Sequence, residues 1–246
     1  AVVTLVYSYL LIRWSGIDQV FGRNKKLLWL RGLFGFAALT CFFYALTKLP
    51  LADATVIQYT NPVFVAIIAA VALNESLSAM EIGGAAASLM GVVMIAKPSF
   101  VFGSGVSGLN PIYVGVALLG AICAATAYVI VRRLRTTEHP LVIVFYFPLV
   151  ATIGSAPTAV FTNLQWPSPW EWVLLIVGVG GCAQIAQVCI TKGLHAVKAG
   201  RAMTVTYLQI VFAAVWGLLV FGESIDGWSV AGGLLVISGT LAANRS

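Results

Sequence analysis

Residues 51–97, LADATVIQYTNPVFVAIIAAVALNESLSAMEIGGAAASLMGVVMIAK, decide the fold. They hold two apolar runs, each long enough to cross a bilayer as a helix, joined by the polar turn Asn74-Glu75-Ser76-Leu77-Ser78. Nearly the same arrangement returns 148 positions later, from residue 199 onward. At that fixed offset Ala54 falls on Ala202, Tyr59 on Tyr207, Val63 on Val211, Phe64 on Phe212 and Ala66 on Ala214. Glu75-Ser76 then falls on Glu223-Ser224, Gly84 on Gly232 and Gly91 on Gly239. A gap-free register through two helices and a turn marks an internal duplication.

Working outward, composition sets the solvent. Hydrophobic residues make up 60% of the chain and charged residues 9%, against roughly 25% charged in a soluble domain. The chain is therefore expected to be an all-α integral membrane protein, because its long apolar runs do not alternate as barrel strands do. Nine spans are expected, at about residues 1–13, 28–47, 52–73, 80–97, 111–131, 140–162, 169–191, 201–221 and 227–243. The net charge of +6 belongs to the loops between them, so nucleic acid is excluded as a partner, and lipid and a small solute remain. Cys41, Cys123, Cys182 and Cys189 lie in apolar runs without metal or redox spacing and read as small buried hydrophobes.

The basic residues test this span list. Arg13, Arg23, Lys25, Lys26, Arg31, Arg132, Arg133, Arg135, Lys192, Lys198, Arg201 and Arg245 all fall on one face, leaving only Lys48 and Lys97 on the other. By the positive-inside rule the rich face is cytoplasmic, which puts the C-terminus inside. Five crossings then separate the two copies of the repeat, so they enter the membrane in opposite directions. Inverted repeats of this kind build many secondary transporters, with the solute site near the midplane at the repeat interface. The expected modules are residues 1–97, with four spans, and residues 98–246, with five. The four-against-five count and the outward-facing Ala1 lead us to expect a further span before Ala1, giving ten helices in two inverted five-helix modules.

These residues resemble a known family. Phe42-Phe43-Tyr44-Ala45-Leu46, Leu51-Ala52-Asp53-Ala54, Pro62-Val63-Phe64, Glu75, Gly83-Gly84 and Gly91 look like the EamA-type module of the drug/metabolite transporter superfamily. Ala199, Gln209-Ile210, Phe212, Glu223 and Gly232-Gly233 resemble its second copy, and Arg132-Arg133-Leu134-Arg135 with Thr137-Glu138-His139-Pro140 resembles the loop of bacterial members. The resemblance implies two inverted five-helix modules, cytoplasmic ends, and export or exchange of small metabolites or drugs, with a homodimer as a candidate assembly. Its solutes range over amino acids, nucleotide sugars, drugs and organic acids.

The candidate site comes from polar groups inside apolar spans. Thr55, Gln58, Tyr59 and Pro62 share one helix face, and Asn61-Pro62 lies near mid-span. Pro62 leaves the Gln58 carbonyl without its usual partner, which membrane proteins tolerate beside neighbouring helices or a water-filled cavity. In the second copy Thr204 and Tyr207 share a face, with Gln209 nearby. Gln184, Gln187 and Thr191 form a further stripe, as do Thr40, Tyr44 and Thr47. Tyr44, Gln58, Tyr59, Asn61, Gln184, Gln187 and Tyr207 are thus the expected solute-binding residues, the alternative being hydrogen bonding between helices.

Other polar residues carry blander expectations. Glu75 and Glu223 precede helix starts, where a negative charge suits the dipole, and Ser78-Ala79-Met80-Glu81 fits a capping box. Asp53 reads as an N-cap, Arg31 as an interfacial snorkelling arginine, and His139 and His195 as loop residues without metal spacing. Gly83, Ala87 and Gly91 form a stripe for close helix approach. No motif for ATP hydrolysis, metalloprotease, esterase or haem chemistry is present, so no enzyme and no cofactor is expected. Alternating access driven by the solute's own gradient, a proton or an exchanged solute is the leading reading. The rivals are a truncated or non-transporting membrane protein and an intramembrane lipid-modifying enzyme.

Overall fold

Each of the nine expected apolar runs folds as helix, three of them with an internal irregularity. The computed structural model describes residues 1–17, 19–102, 109–161, 167–222, 224 and 226–245, and among these there is no strand. In chain order the helices are α1 (Val2–Trp14), α2 (Lys25–Leu46), α3 (Leu51–Gln58), α4 (Asn61–Leu73), α5 (Ala79–Ala96), α6 (Ser99–Phe102) and α7 (Pro111–Leu134). There follow α8 (Pro140–Phe161), α9 (Pro169–Val173), α10 (Cys182–Ala196), α11 (Ala199–Thr204), α12 (Leu208–Phe221) and α13 (Gly227–Arg245). A π-helical stretch, Leu174–Gly181, joins α9 to α10, and a 3₁₀ turn, Val205–Tyr207, joins α11 to α12.

Among the described residues seven segments are long and apolar enough to cross a membrane: α2, α3 with α4, α5, α7, α8 as far as Pro157, α9 through α10, and α11 through Val220. α1 has 13 residues, short of the roughly 20 a span needs. α13 has 19 residues but draws many of them from Gly, Ser and Thr rather than large apolar side chains. The protein is an all-α integral membrane protein.

Packing divides the chain into two units, residues 1–36 with 130–197 and residues 37–129 with 198–246. Each therefore draws on both halves of the sequence. In the first unit α1 packs on α8 and α10. α2 approaches α8 at Gly32, where a Cβ would stand 2.5 Å from Val150 and 2.8 Å from the Tyr146 carbonyl. Arg132, buried, donates to the Leu194 and His195 carbonyls at 2.9 and 3.1 Å. It neutralises the exposed end of α10, where the helix dipole is negative. His195, expected in a loop, lies in that last helical turn.

The second unit is built on α5 and α13. Gly91 meets Gly232 so closely that a Cβ on Gly91 would sit 2.5 Å from the Gly232 oxygen, and one on Gly232 would sit 2.7 Å from the Gly91 oxygen. Gly84 and Gly239 meet in the same way. Because Gly232 and Gly239 are the repeat mates of Gly84 and Gly91, exchanging the two copies returns the same contacts, as a local two-fold axis requires. Between them Ser88 donates to the Val236 carbonyl at 3.4 Å. The packing stripe is thus Gly84, Ser88 and Gly91; Gly83, expected in that role, faces open space.

Both ends of this unit are tied by polar contacts, and two expectations are corrected there. The capping box forms as expected, with Ser78 and Glu81 exchanging hydrogen bonds. Glu75, however, caps a different helix, accepting the Ala199 N–H at 2.9 Å at the start of α11 rather than α5. Asp53 is fully buried in the first turn of α3, whose N-cap is Pro50, and its carboxylate accepts from the Ser99 N–H and hydroxyl. Glu81, buried, also takes Arg201 at 2.6 Å. Lys97 pairs with Asp226 at 2.6 Å at the other end, and with Ser229 it holds the Asp226 carboxyl well below the ordinary carboxylate range. Glu223 lies outside the described residues. Cys41 and Cys123 are partly buried, whereas Cys182 and Cys189, expected to be buried, are exposed.

Candidate functional site

Two helices of the second unit break at repeat-related positions. Pro62 offers no N–H to the Gln58 carbonyl four residues earlier, so α3 ends at Gln58 and α4 starts afresh at Asn61. Between them the Thr60 N–H and hydroxyl both turn back to the Ile57 carbonyl, at 3.1 and 2.6 Å. The second copy has Ile210 where the first has Pro62, yet its helix tightens into the 3₁₀ turn at the same place. The mates Tyr59 and Tyr207 stand at the two breaks and stack, ring centroids 6.0 Å apart and planes 29° off parallel. A residue touching its own repeat mate lies at the local two-fold axis. Tyr207 is fully buried among Val56, Val92, Ile210 and Val236.

Beside the stack is a cavity of about 450 Å³. Tyr59, Phe42, Tyr128 and Pro62 supply aromatic and apolar walls, and Gln58, Asn61, Gln209, Thr55 and Thr206 supply polar ones. Four of these polar groups form repeat-related pairs: the offset carries Gln58 to Thr206 and Asn61 to Gln209. The hydroxyl protons of Thr55 and Thr206 are committed to the Leu51 and Met203 carbonyls, both at 2.6 Å, so toward the cavity these oxygens only accept. Gln58 Oε1 and Asn61 Oδ1 are buried and have no hydrogen-bond partner among the described residues. Leaving such an atom unpaired costs about 1–3 kcal/mol, so each is open to a donor in the cavity. No described lining residue is charged.

Of the seven expected site residues, Gln58, Tyr59 and Asn61 line this cavity and Tyr207 backs it. Tyr44, in the same unit, is 45% exposed and meets Tyr113 edge-on at 6.2 Å. Gln184 and Gln187 belong to the first unit. Gln184 accepts from Ser8 at 3.1 Å, and Gln187 accepts from Arg31 at 3.1 Å. Arg31 is only 3% exposed and lies over the Phe147 ring at 5.0 Å, so it is a buried packing arginine rather than a snorkelling one. Sequence reasoning missed Thr206 and Tyr128. The repeat offset applied to Gln58 finds the first; Tyr128 has no such signal.

Comparisons with known proteins agree with one another. The model of the EamA-like transporter family matches residues 1–97 and 111–245. The chain is 33% identical to a pseudopaline exporter of Pseudomonas aeruginosa, over 97% of this chain and 81% of that protein. It is 30% identical to human solute carrier family 35 member G1, over 97% and 67%. It is 29% identical to an S-adenosylmethionine uptake transporter of Rickettsia prowazekii, over 86% and 69%. A crystal structure 19% identical to it overlays with a TM-score of 0.83 across 99% of this chain and 84% of that one, a likeness of fold alone. These names describe transport, which sets aside the intramembrane-enzyme reading.

Proposed function

Because the chain belongs to the EamA-like transporter family, we propose that it exports a small, net-uncharged solute across the plasma membrane by alternating access. The solute would sit in the Tyr59 cavity with a flat or apolar part against the Tyr59 ring and N–H or O–H donors toward Gln58 and Asn61. The observation that carries this reading is the pair of unpartnered, buried amide oxygens beside a helix break. Tyr207 acts by holding the Tyr59 ring in place. Gln184 and Gln187 are assigned to the cohesion of the first unit through Ser8 and Arg31. The repeat-related breaks at Tyr59 and Tyr207 are where the helices would bend between outward-open and inward-open states, with the C-terminus cytoplasmic. The exporter among the 33%-identical relatives favours outward movement.

The test is counterflow in proteoliposomes with a panel that includes pseudopaline, S-adenosylmethionine and neutral amino acids, the first two taken from the names of relatives. Once a solute exchanges, the mates Asn61→Leu and Gln209→Leu are made together. Loss of exchange with normal membrane insertion supports the cavity; full exchange by the double variant rejects it.

A further inference from the structure

A second cavity lies at the water-facing ends of the spans in the first unit. The loop that forms one wall is held by Glu138, a buried carboxylate whose Oε1 accepts the backbone N–H groups of Arg23 (2.8 Å) and Asn24. Gly22 makes this possible: its φ is +61°, and a Cβ there would stand 2.5 Å from Glu138 Oε2. Tyr146 adds a third tie, its hydroxyl donating to the Phe21 carbonyl at 2.9 Å. The loop before α2 is thereby fixed, and its side chains open onto a cavity of about 620 Å³ lined by Arg23, Asn24, Lys25, Lys26, Thr136 and Thr137. Three cations and the Thr136 hydroxyl face it, the Thr137 hydroxyl donating to the Leu134 carbonyl at 3.3 Å and Glu138 spent on the loop backbone behind them. Directly beneath, Lys26, Trp29, Leu30 and Leu33 follow the i, i+3, i+4, i+7 spacing of one helix face. That face is exposed, Trp29 by 41%, Leu30 by 41% and Leu33 by 51%.

A cationic, hydroxyl-bearing cavity at the end of a span, continuous with a bare apolar face that starts with an indole, has the two-part chemistry of a phospholipid. We propose that it is a binding site for one anionic phospholipid, the phosphate among Arg23, Lys25, Lys26 and the Thr136 hydroxyl, one acyl chain along Trp29, Leu30 and Leu33. Charge complementarity selects a headgroup of net negative charge over a zwitterionic one. Each basic side chain beside an anionic lipid contributes roughly a factor of five in binding, so removal of all three lowers affinity about a hundred-fold.

Native mass spectrometry of the full chain tests this, with phosphatidylglycerol and phosphatidylcholine of identical acyl chains. The expected result is preferential retention of phosphatidylglycerol. Arg23→Gln/Lys25→Gln/Lys26→Gln loses that preference, and Lys25→Arg/Lys26→Arg keeps it. Should the triple variant fail to fold, Lys26→Gln alone is expected to lower retention about five-fold. Arg133→Gln/Arg135→Gln removes charge from exposed residues outside the cavity lining and is expected to leave retention nearly unchanged. Equal retention of the two lipids, or equal loss in this control, overturns the proposal. So does displacement of phosphatidylglycerol by millimolar inorganic phosphate, which would make the cavity a site for a free anion.

Discussion

Replacing Gln58 by Met separates a group held for solute from a group held for structure. The two side chains are nearly isosteric, so the cavity keeps its shape while one polar group disappears. In the free protein Gln58 Oε1 is buried without a partner; removing such an atom relieves about 1–3 kcal/mol of desolvation. Gln58 as a residue is only half-buried, which places the expected gain at the low end, about 1 kcal/mol. With solute bound, the amide makes a hydrogen bond whose net worth is about 0.5–1.5 kcal/mol, so the variant should bind roughly 2- to 13-fold more weakly. The assays are thermal unfolding in detergent and concentration-dependent counterflow in proteoliposomes. Gln58→Met should be as stable as wild type or slightly more so, with weaker apparent affinity. A variant that unfolds earlier and transports normally would refute the reasoning, because the amide would then be holding helices together.

Four further substitutions probe the scaffold. Tyr207→Phe removes a buried hydroxyl that has no partner among the described residues and keeps the stack on Tyr59, so transport and stability should both hold; Tyr207→Ala should cost about 3–5 kcal/mol on thermal or denaturant unfolding. Gly91→Val drives a side chain into the Gly232 carbonyl, 2.5 Å from the Cβ position, and should lower stability by about 1–3 kcal/mol or abolish expression. Lys97→Met breaks an exposed pair and should change stability at neutral pH little. Because Lys97 and Ser229 depress the Asp226 pKa, any stability from this contact is present above the ordinary carboxylate range and is lost as pH falls through the lowered value. Acid titrations of wild type and Lys97→Met should therefore differ slightly at neutral pH and converge in strong acid.

Much of the second unit was legible because its signals are local or periodic. Pro62 announces the first helix break by its missing N–H, and the fixed offset carries Tyr59 at that break to Tyr207. That the second copy breaks without a proline was not legible, since Ile210 is an ordinary helix residue and only its packing reveals the 3₁₀ turn. Adjacent glycines hid the packing stripe: Gly83 and Gly84 lie about 100° apart on a helix, and composition cannot say which faces the partner. Contacts between residues distant in sequence were out of reach. Asp53 and Glu75 sit where helix-start residues belong, but their partners, Ser99 and Ala199, come from other elements. Arg31 looked interfacial by its place near a span start, and its burial against Gln187 and Phe147 needs the fold. At the cavity, Gln58, Tyr59 and Asn61 stood out as polar residues inside an apolar run, whereas Tyr128 looks like any aromatic of a membrane helix.

The central claim, that the solute occupies the Tyr59 cavity, is tested most directly by solute protection of a single thiol. Cys41, Cys123, Cys182 and Cys189 are replaced by Ala, and Thr206→Cys is added on the wall that carries the mate of Gln58. Alkylation by a small membrane-permeant maleimide is then followed with and without the solute found by counterflow. We predict that solute slows alkylation in proportion to its occupancy. An alkylation rate unchanged at saturating solute, in a protein that still transports it, would contradict the account.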